Sequence, residues 1–183
     1  MNSELLAAAE QGNAASALML LDKGVDINAQ SKSGMTPLMA AAREGHESVV
    51  KTLLNKGADI NVKTNGKSTA LMWATISGNT TTVQVLLDKE ANINIETCYG
   101  VTPLMMAALK GNAAIGNALL DKGADVNTKD KWGVTALMAA ADYGYPDIVR
   151  LLLDRGAEMD AKNKKGETAL MLAVAKKHND IIE

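Results

Sequence analysis

A three-residue motif, Thr-Pro-Leu or Thr-Ala-Leu, recurs along this chain at a fixed interval of 33 residues. Its threonines are Thr36, Thr69, Thr102, Thr135 and Thr168. A glycine recurs at the same interval, at Gly12, Gly45, Gly78, Gly111 and Gly144. A fixed period of this length is typical of stacked repeats, in which each unit buries its apolar face only against its neighbours. The spacing therefore predicts a repeat array.

A single unit contains the start and stop signals of two helices. Thr36 is expected to cap a first helix, and Pro37 suits the first helical position because its missing N–H leaves no bond unmade. Gly45 is expected to end that helix in a left-handed conformation. Apolar residues at helical spacing over 47–55 predict a second helix. Each unit is therefore predicted to be helix, turn, helix and loop.

The period also predicts the domain organisation. We expect the 183 residues to form a single domain, 1–183, of repeats at 1–30, 31–63, 64–96, 97–129, 130–162 and 163–183. The first repeat lacks its leading hairpin. The last is partial, since it breaks off at Glu183 before its second-helix glycine, which predicts that further residues follow.

Small residues recur after the motif, at Ala40, Ala41, Ala42, Ala107, Ala108, Ala139, Ala140 and Ala141. Together with the motif and the glycines, they resemble the ankyrin repeat over essentially the whole chain. Apolar residues make up 47% of the sequence but aromatics only 3%, which suits short helices packed closely through small side chains. The resemblance implies an all-α repeat solenoid whose loops project as short β-hairpin or loop fingers, with a concave surface formed by finger tips and first-helix ends. Where the family usually has His after the motif, this chain has Met39, Met72, Met105, Met138 and Met171. We interpret these methionines as core residues.

Net charge, the length of apolar runs and the cysteine count narrow the class of partner and the compartment. A net charge of −2 gives no support for nucleic-acid binding, and no apolar run is long enough for membrane insertion. One cysteine, Cys98, rules out an internal disulfide and is compatible with a reducing compartment. The N-terminus lacks a secretory pattern. A cytoplasmic protein is the default expectation, with a removed signal peptide left open.

The sequence contains no recognisable catalytic, cofactor or metal-binding constellation. The only histidines, His46 and His178, share one repeat phase, which favours a structural role with local bonds at the start of the second helix. Recurrent carboxylates such as Asp26 and Asp59 lie beside glycines, which favours local turn hydrogen bonds. We therefore predict that the chain is not an enzyme and needs no cofactor.

The repeats differ most in their aromatic residues. All five aromatics lie in repeats three to five, and Tyr99 and Trp132 take the same finger-tip position in consecutive repeats. Aromatic residues dominate binding hot spots. The predicted partner-binding residues are Ile76, Tyr99, Val101, Leu109, Trp132, Val134, Asp142 and Tyr143. The alternative interpretation is that Tyr99 and Trp132 only cover each other.

These observations predict a non-catalytic protein–protein interaction module with an unidentified protein partner. One alternative is a regulatory or targeting part of a larger enzyme whose catalytic segment is not in this chain, and another is a structural spacer. A monomer is expected, with end-to-end contact through Ile181 and Ile182 left open.

Overall fold

The fold is all-α, and a computed structural model describes residues 2–182, with side chains described for 3–182. The helices are α1 (Asn2–Glu10), α2 (Ala14–Asp22), α3 (Pro37–Glu44), α4 (Glu47–Asn55), α5 (Ala70–Ile76), α6 (Thr80–Asp88), α7 (Pro103–Leu109), α8 (Ala113–Asp121), α9 (Ala136–Tyr143), α10 (Pro146–Asp154), α11 (Ala169–Lys176) and α12 (Asn179–Ile182). They form consecutive helix pairs, α1–α2 to α11–α12. No β-strand occurs within residues 2–182, so the fingers are hydrogen-bonded turns and not paired strands.

The chain divides into two compact units, Met1–Asn92 and Ile93–Glu183. In the first unit α3 packs between α1 and α5, and α4 packs between α2 and α6. In the second unit α9 packs between α7 and α11, and α10 packs between α8 and α12. First helices therefore stack on first helices, and second helices on second helices. The single domain and the repeat boundaries inferred from the period stay predictions.

The motif threonine starts most first helices as predicted. The Thr36 hydroxyl accepts a hydrogen bond from the Met39 N–H at 3.2 Å, and Thr102, Thr135 and Thr168 make the equivalent bond. Each such bond satisfies one of the N–H groups that have no partner within the helix. Thr69 differs, because its buried hydroxyl has no hydrogen-bond partner among the described residues.

Gly45 ends α3 in the left-handed conformation, with φ of 76°. It also provides space for the following pair, because a Cβ at this position would lie 2.8 Å from Oδ1 of Asn79. The amide of Asn79 donates to the carbonyl oxygens of Ala42 and Arg43 at 3.0 and 2.8 Å. The glycine therefore both ends a helix and admits the side chain that joins two helix pairs.

The histidines have the same joining role. Nε2 of His46 lies 3.0 Å from the carbonyl oxygen of Glu10, and Nε2 of His178 lies 3.0 Å from that of Asp142. Both carbonyls belong to the preceding helix pair. The structural role expected from the sequence is present, but it links neighbouring pairs instead of bonding locally.

The methionine positions are core in four of five cases. Met39, Met72 and Met138 are each 1% exposed and Met105 is 5% exposed, whereas Met171 is 54% exposed. The prediction that all five are core is therefore wrong for Met171. The physical reason is that no further helix pair covers α11 within residues 2–182, so the position that is internal elsewhere lies at a surface.

Candidate protein-interaction surface

The two aromatic finger tips of the second unit are held by closed turns. In the finger of Trp132, the Asp130 N–H donates to the carbonyl oxygen of Val134 at 3.0 Å. The Asp130 carboxylate accepts from the N–H groups of both Trp132 and Val134, each at 2.8 Å. The Asp130 side chain thus provides hydrogen-bond partners for the backbone N–H groups of the turn, and Trp132 lies at its tip. Thr97 fills the same role for Tyr99, accepting from its N–H at 3.3 Å.

Neighbouring fingers in this unit are joined by backbone hydrogen bonds in a constant register. The Lys131 N–H donates to the carbonyl oxygen of Tyr99 at 2.9 Å, and the Lys164 N–H donates to that of Trp132 at 2.8 Å. These two bonds align three successive finger tips. Equivalent side chains of successive fingers are therefore brought side by side.

Tyr99 and Trp132 are stacked as a result. Their ring centroids lie 5.6 Å apart with an interplanar angle of 23°. The pair nevertheless stays open to solvent, with Tyr99 55% and Trp132 54% exposed. Nζ of Lys131 lies 5.8 Å from the centroid of the Tyr99 ring, within the range of a cation–π contact. The tip therefore presents two ordered aromatic rings and a positive charge.

A groove lies beside these tips in the same unit. Four of the predicted residues line it: Leu109, Val134, Asp142 and Tyr143. The groove has a volume of about 430 Å³. Tyr143 is exposed, and its ring stacks on that of Tyr145 with centroids 6.4 Å apart. Tyr145 is itself seated over Gly111, so this stack anchors Tyr143 to the helix turn below it.

The other two predicted residues, Val101 and Ile76, are less exposed than the aromatic pair. Val101 is half-buried and its N–H closes the Tyr99 finger by donating to Oγ1 of Thr97 at 3.1 Å. Ile76 is half-buried at the end of α5 and belongs to the first unit. The structure therefore collects the predicted residues of the second unit around the fingers and the groove. We use the term finger surface for Tyr99, Leu109, Trp132, Val134, Asp142 and Tyr143.

The predicted set omits eight of the residues that line the groove: Met138, Ala139, Asn163, Lys165, Glu167, Leu172, Ala175 and Lys176. Leu172 holds the position of Ala139 one period earlier, and Ala139 lines the same groove. Examining this repeat position along the chain could have identified Leu172.

Between residues 2 and 182 there is no group of three or more His, Cys, Asp or Glu side chains that could hold a metal ion. None of the helices in that range is long and apolar enough to cross a membrane.

The stacked helix pairs, left-handed glycines and projecting fingers define a helical repeat protein. A family model described as Ankyrin repeats (3 copies) matches residues 2–64, 63–130 and 104–183. The chain therefore belongs to the ankyrin repeat family. Ankyrin repeats are in general protein–protein interaction modules and are typically non-catalytic. A search of curated proteins found no match to the chain.

Proposed function

We propose that this chain is a recognition module that binds a protein partner at its finger surface. The observation that supports this most directly is the stacked pair of Tyr99 and Trp132, each of which keeps more than half of its surface exposed. Burying apolar aromatic surface on association contributes about 25 cal/mol per Å², and Trp and Tyr are enriched in binding hot spots.

The exposure of the pair supports binding over mutual covering. Side chains that only protected each other would be expected to remove most of their apolar surface from water. Here the stacking orders the two rings and leaves their outer faces accessible. An ordered and exposed aromatic pair favours a contact site over a purely structural role.

The backbone beneath the pair is already organised. Turn bonds within each finger and the bond from Lys131 N–H to the Tyr99 carbonyl oxygen fix the tips before any partner arrives. Binding to such a surface loses little conformational entropy, so a few anchor residues can give useful affinity.

The groove supplies a second element of recognition. Leu109, Val134 and Tyr143 form apolar walls, and charged side chains of both signs also line the groove, at Asp142, Lys165, Glu167 and Lys176. Such a lining suits a partner side chain that has an apolar part and a polar group beside it. We therefore expect the partner to insert a side chain here while it covers the aromatic pair.

The test is affinity capture with the full chain, identification of captured proteins by mass spectrometry, and titration calorimetry with the purified partner. Replacing both Tyr99 and Trp132 by Ala should weaken binding by about 2 kcal/mol or more, which is roughly 30-fold. The matched control is Met159→Ala, since Met159 is an equally accessible apolar residue of the same unit outside the finger surface.

An unchanged affinity in the double variant, with helicity retained by circular dichroism, would show that the finger surface is not the binding site. A loss of the same size in Met159→Ala would show instead that any removal of exposed apolar surface has this effect.

A further inference from the structure

Exposed lysines surround the finger surface. Lys165 and Lys176 line its groove, and Nζ of Lys131 lies over one of the two stacked rings. Lys164 holds the position of Lys131 in the next finger, and Lys110 holds that of Lys176 two periods earlier. All of these side chains are exposed. We use the term lysine rim for Lys110, Lys131, Lys164, Lys165 and Lys176.

The charge of the lysine rim is not neutralised by other described residues. None of its ammonium groups makes an ion pair with a side chain of residues 3–182. Other cations of the chain do make such pairs, as Lys51, Lys56 and Arg155 do with nearby carboxylates. The rim lysines are therefore available to a partner.

The exposure of these positions does not depend on the absence of a neighbouring repeat. The finger of Lys131 and Trp132 is followed by that of Lys164, yet both of its tip residues stay exposed. Lys110 follows α7 and Tyr143 ends α9, and a further helix pair follows each of these helices. Both residues are nevertheless exposed. Stacking of the repeats thus leaves the finger tips and the first-helix ends open.

The carboxylates of this region are fewer and less accessible than the lysines. Asp130, Asp142 and Glu167 are all half-buried. The Asp130 carboxylate accepts two hydrogen bonds from its own turn, each at 2.8 Å, and Oε2 of Glu167 accepts from the Asn163 amide at 2.8 Å. Five exposed lysines thus lie beside three partly covered carboxylates, although the whole chain has a net charge of −2. The region is locally positive.

The positive charge coincides with the aromatic residues. At the same finger-tip and helix-end positions the first unit has one lysine and one glutamate, Lys32 and Glu44, and no aromatic residue. The second unit has the lysine rim there, together with Tyr99, Trp132 and Tyr143. Cations and aromatic rings are therefore concentrated on the same part of the chain, which indicates a ligand that has both acidic and apolar groups.

We propose that the finger surface and the lysine rim bind an acidic peptide segment of the partner, in which an apolar side chain is flanked by Asp or Glu. This inference rests on the proposed function and names the kind of partner. The apolar side chain enters the groove, and the flanking carboxylates meet the rim lysines. Opposite charge on the two surfaces speeds association and selects against partners that are basic.

The lining of the groove favours a peptide over a nucleic acid, which is also negatively charged. A nucleic acid carries a phosphate at every residue, and the groove carboxylates of Asp142 and Glu167 would repel phosphates placed beside them. A peptide can place its carboxylates at the rim and an apolar side chain between Leu109 and Val134, which line the same groove. The mixed lining therefore matches an acidic peptide better.

The experiment is selection of random peptides, displayed from a library, on the purified full chain. The enriched peptides are then synthesised, and their affinities are measured by fluorescence anisotropy. We expect an apolar residue with Asp or Glu on either side, more often than in the unselected library. The affinity should fall by about tenfold when NaCl is raised from roughly 50 mM to roughly 500 mM, because added ions screen exposed charges.

Charge reversal tests the rim directly. Lys165→Glu combined with Lys176→Glu should weaken binding of the selected peptides by about tenfold or more, because like charges then meet at the groove. The matched control is Lys129→Glu combined with Lys162→Glu, which makes the same change of charge at two exposed lysines of the same unit outside the groove. It should leave the affinity within about twofold of the wild type. If the first variant loses its helical signal, Lys165→Gln with Lys176→Gln replaces it.

The failure of this inference can be distinguished from failure of the proposed function. Peptides without an excess of Asp and Glu, or with an affinity that salt does not change, overturn the acidic segment. The proposed function still stands in that case if Tyr99→Ala with Trp132→Ala weakens their binding. Acidic peptides that bind this aromatic variant as tightly as the wild type contradict both.

Two further results overturn the acidic segment. One is a selection in which no peptide is enriched. The other is competition in which single-stranded DNA of random sequence displaces the selected peptides and binds more tightly than they do, since the ligand of the rim would then be a nucleic acid. Equal losses in the groove variant and in the Lys129 and Lys162 control would likewise contradict a contact at the rim, because only the overall charge would matter.

Discussion

The contact between the finger of Gly34 and the next finger provides a sharp test of how this fold is held together. Gly34 has φ of +85°, and a Cβ at this position would lie 2.8 Å from Cα of Thr64 and 2.9 Å from N of Asn65. Both atoms belong to the backbone of the next finger, which cannot rotate away as a side chain could. Replacing Gly34 by Ala should therefore separate the two fingers.

The expected cost has two parts. The left-handed conformation costs an L-residue about 1–2 kcal/mol, of which about 0.4–1 kcal/mol is offset because Ala restricts the unfolded chain. Separating the fingers would lose the bond from the Asn65 N–H to the Ser33 carbonyl oxygen, now 3.1 Å, worth about 1 kcal/mol. Overpacking adds about 1–3 kcal/mol. The sum is about 3–5 kcal/mol.

Gly24 provides the control. Its φ is +81°, close to that of Gly34, but a Cβ there would meet nothing within 4 Å. Gly24→Ala should therefore cost only about 0.5–1 kcal/mol, from the backbone conformation alone. The difference between the two variants isolates the contact between the fingers, and we expect it to be about 2–4 kcal/mol.

The assay is equilibrium urea unfolding of each variant followed by circular dichroism at 222 nm. A lower midpoint with an unchanged slope reports stability alone, whereas a reduced slope would indicate that part of the array unfolds separately. Equal destabilisation of the two variants would refute the reasoning, because it would mean that finger contact contributes nothing beyond the glycine conformation.

Three other substitutions test local features in the same assay. Glu90 occupies a glycine slot with φ of 59°, so Glu90→Gly should stabilise the chain by about 0.5–1 kcal/mol, and a lower midpoint would contradict this. Thr36→Val should cost about 1 kcal/mol because it removes a cap made at 3.2 Å. Thr69→Val should be neutral or stabilising, because the buried Thr69 hydroxyl makes no hydrogen bond within the described residues. An equal loss of stability in Thr36→Val and Thr69→Val would show that the cap hydrogen bond does not contribute.

Much of each repeat can be predicted from the sequence because the interactions that form it are local. Cap, proline and glycine act within one turn of a helix, and α3 and α4 span the predicted segments. In the finger that follows that of Gly34, the repeat position even overrides the preference of glycine for a positive φ. Lys67, and not its neighbour Gly66, takes the positive φ of 63°, because Lys67 lies 33 residues after Gly34.

The candidate site could be predicted in part. The shared finger-tip position of Tyr99 and Trp132 indicated that the two residues would be neighbours, and they are stacked. Leu172 was missed because its contribution to the groove depends on how α11 lies against α9. That relation is a property of two helix pairs, and no local pattern within one pair encodes it.

The period, the helices and their caps can be inferred from the amino-acid sequence, since these depend on hydrogen bonds and backbone conformations within one unit. Which copies of a repeated position are covered becomes clear only from the packing of the helix pairs. Met138 and Met171 have the same local sequence role, yet one is 1% and the other 54% exposed. The physical reason is that burial in a stacked array depends on the neighbouring helix pair, so identical positions differ wherever the stacking is interrupted.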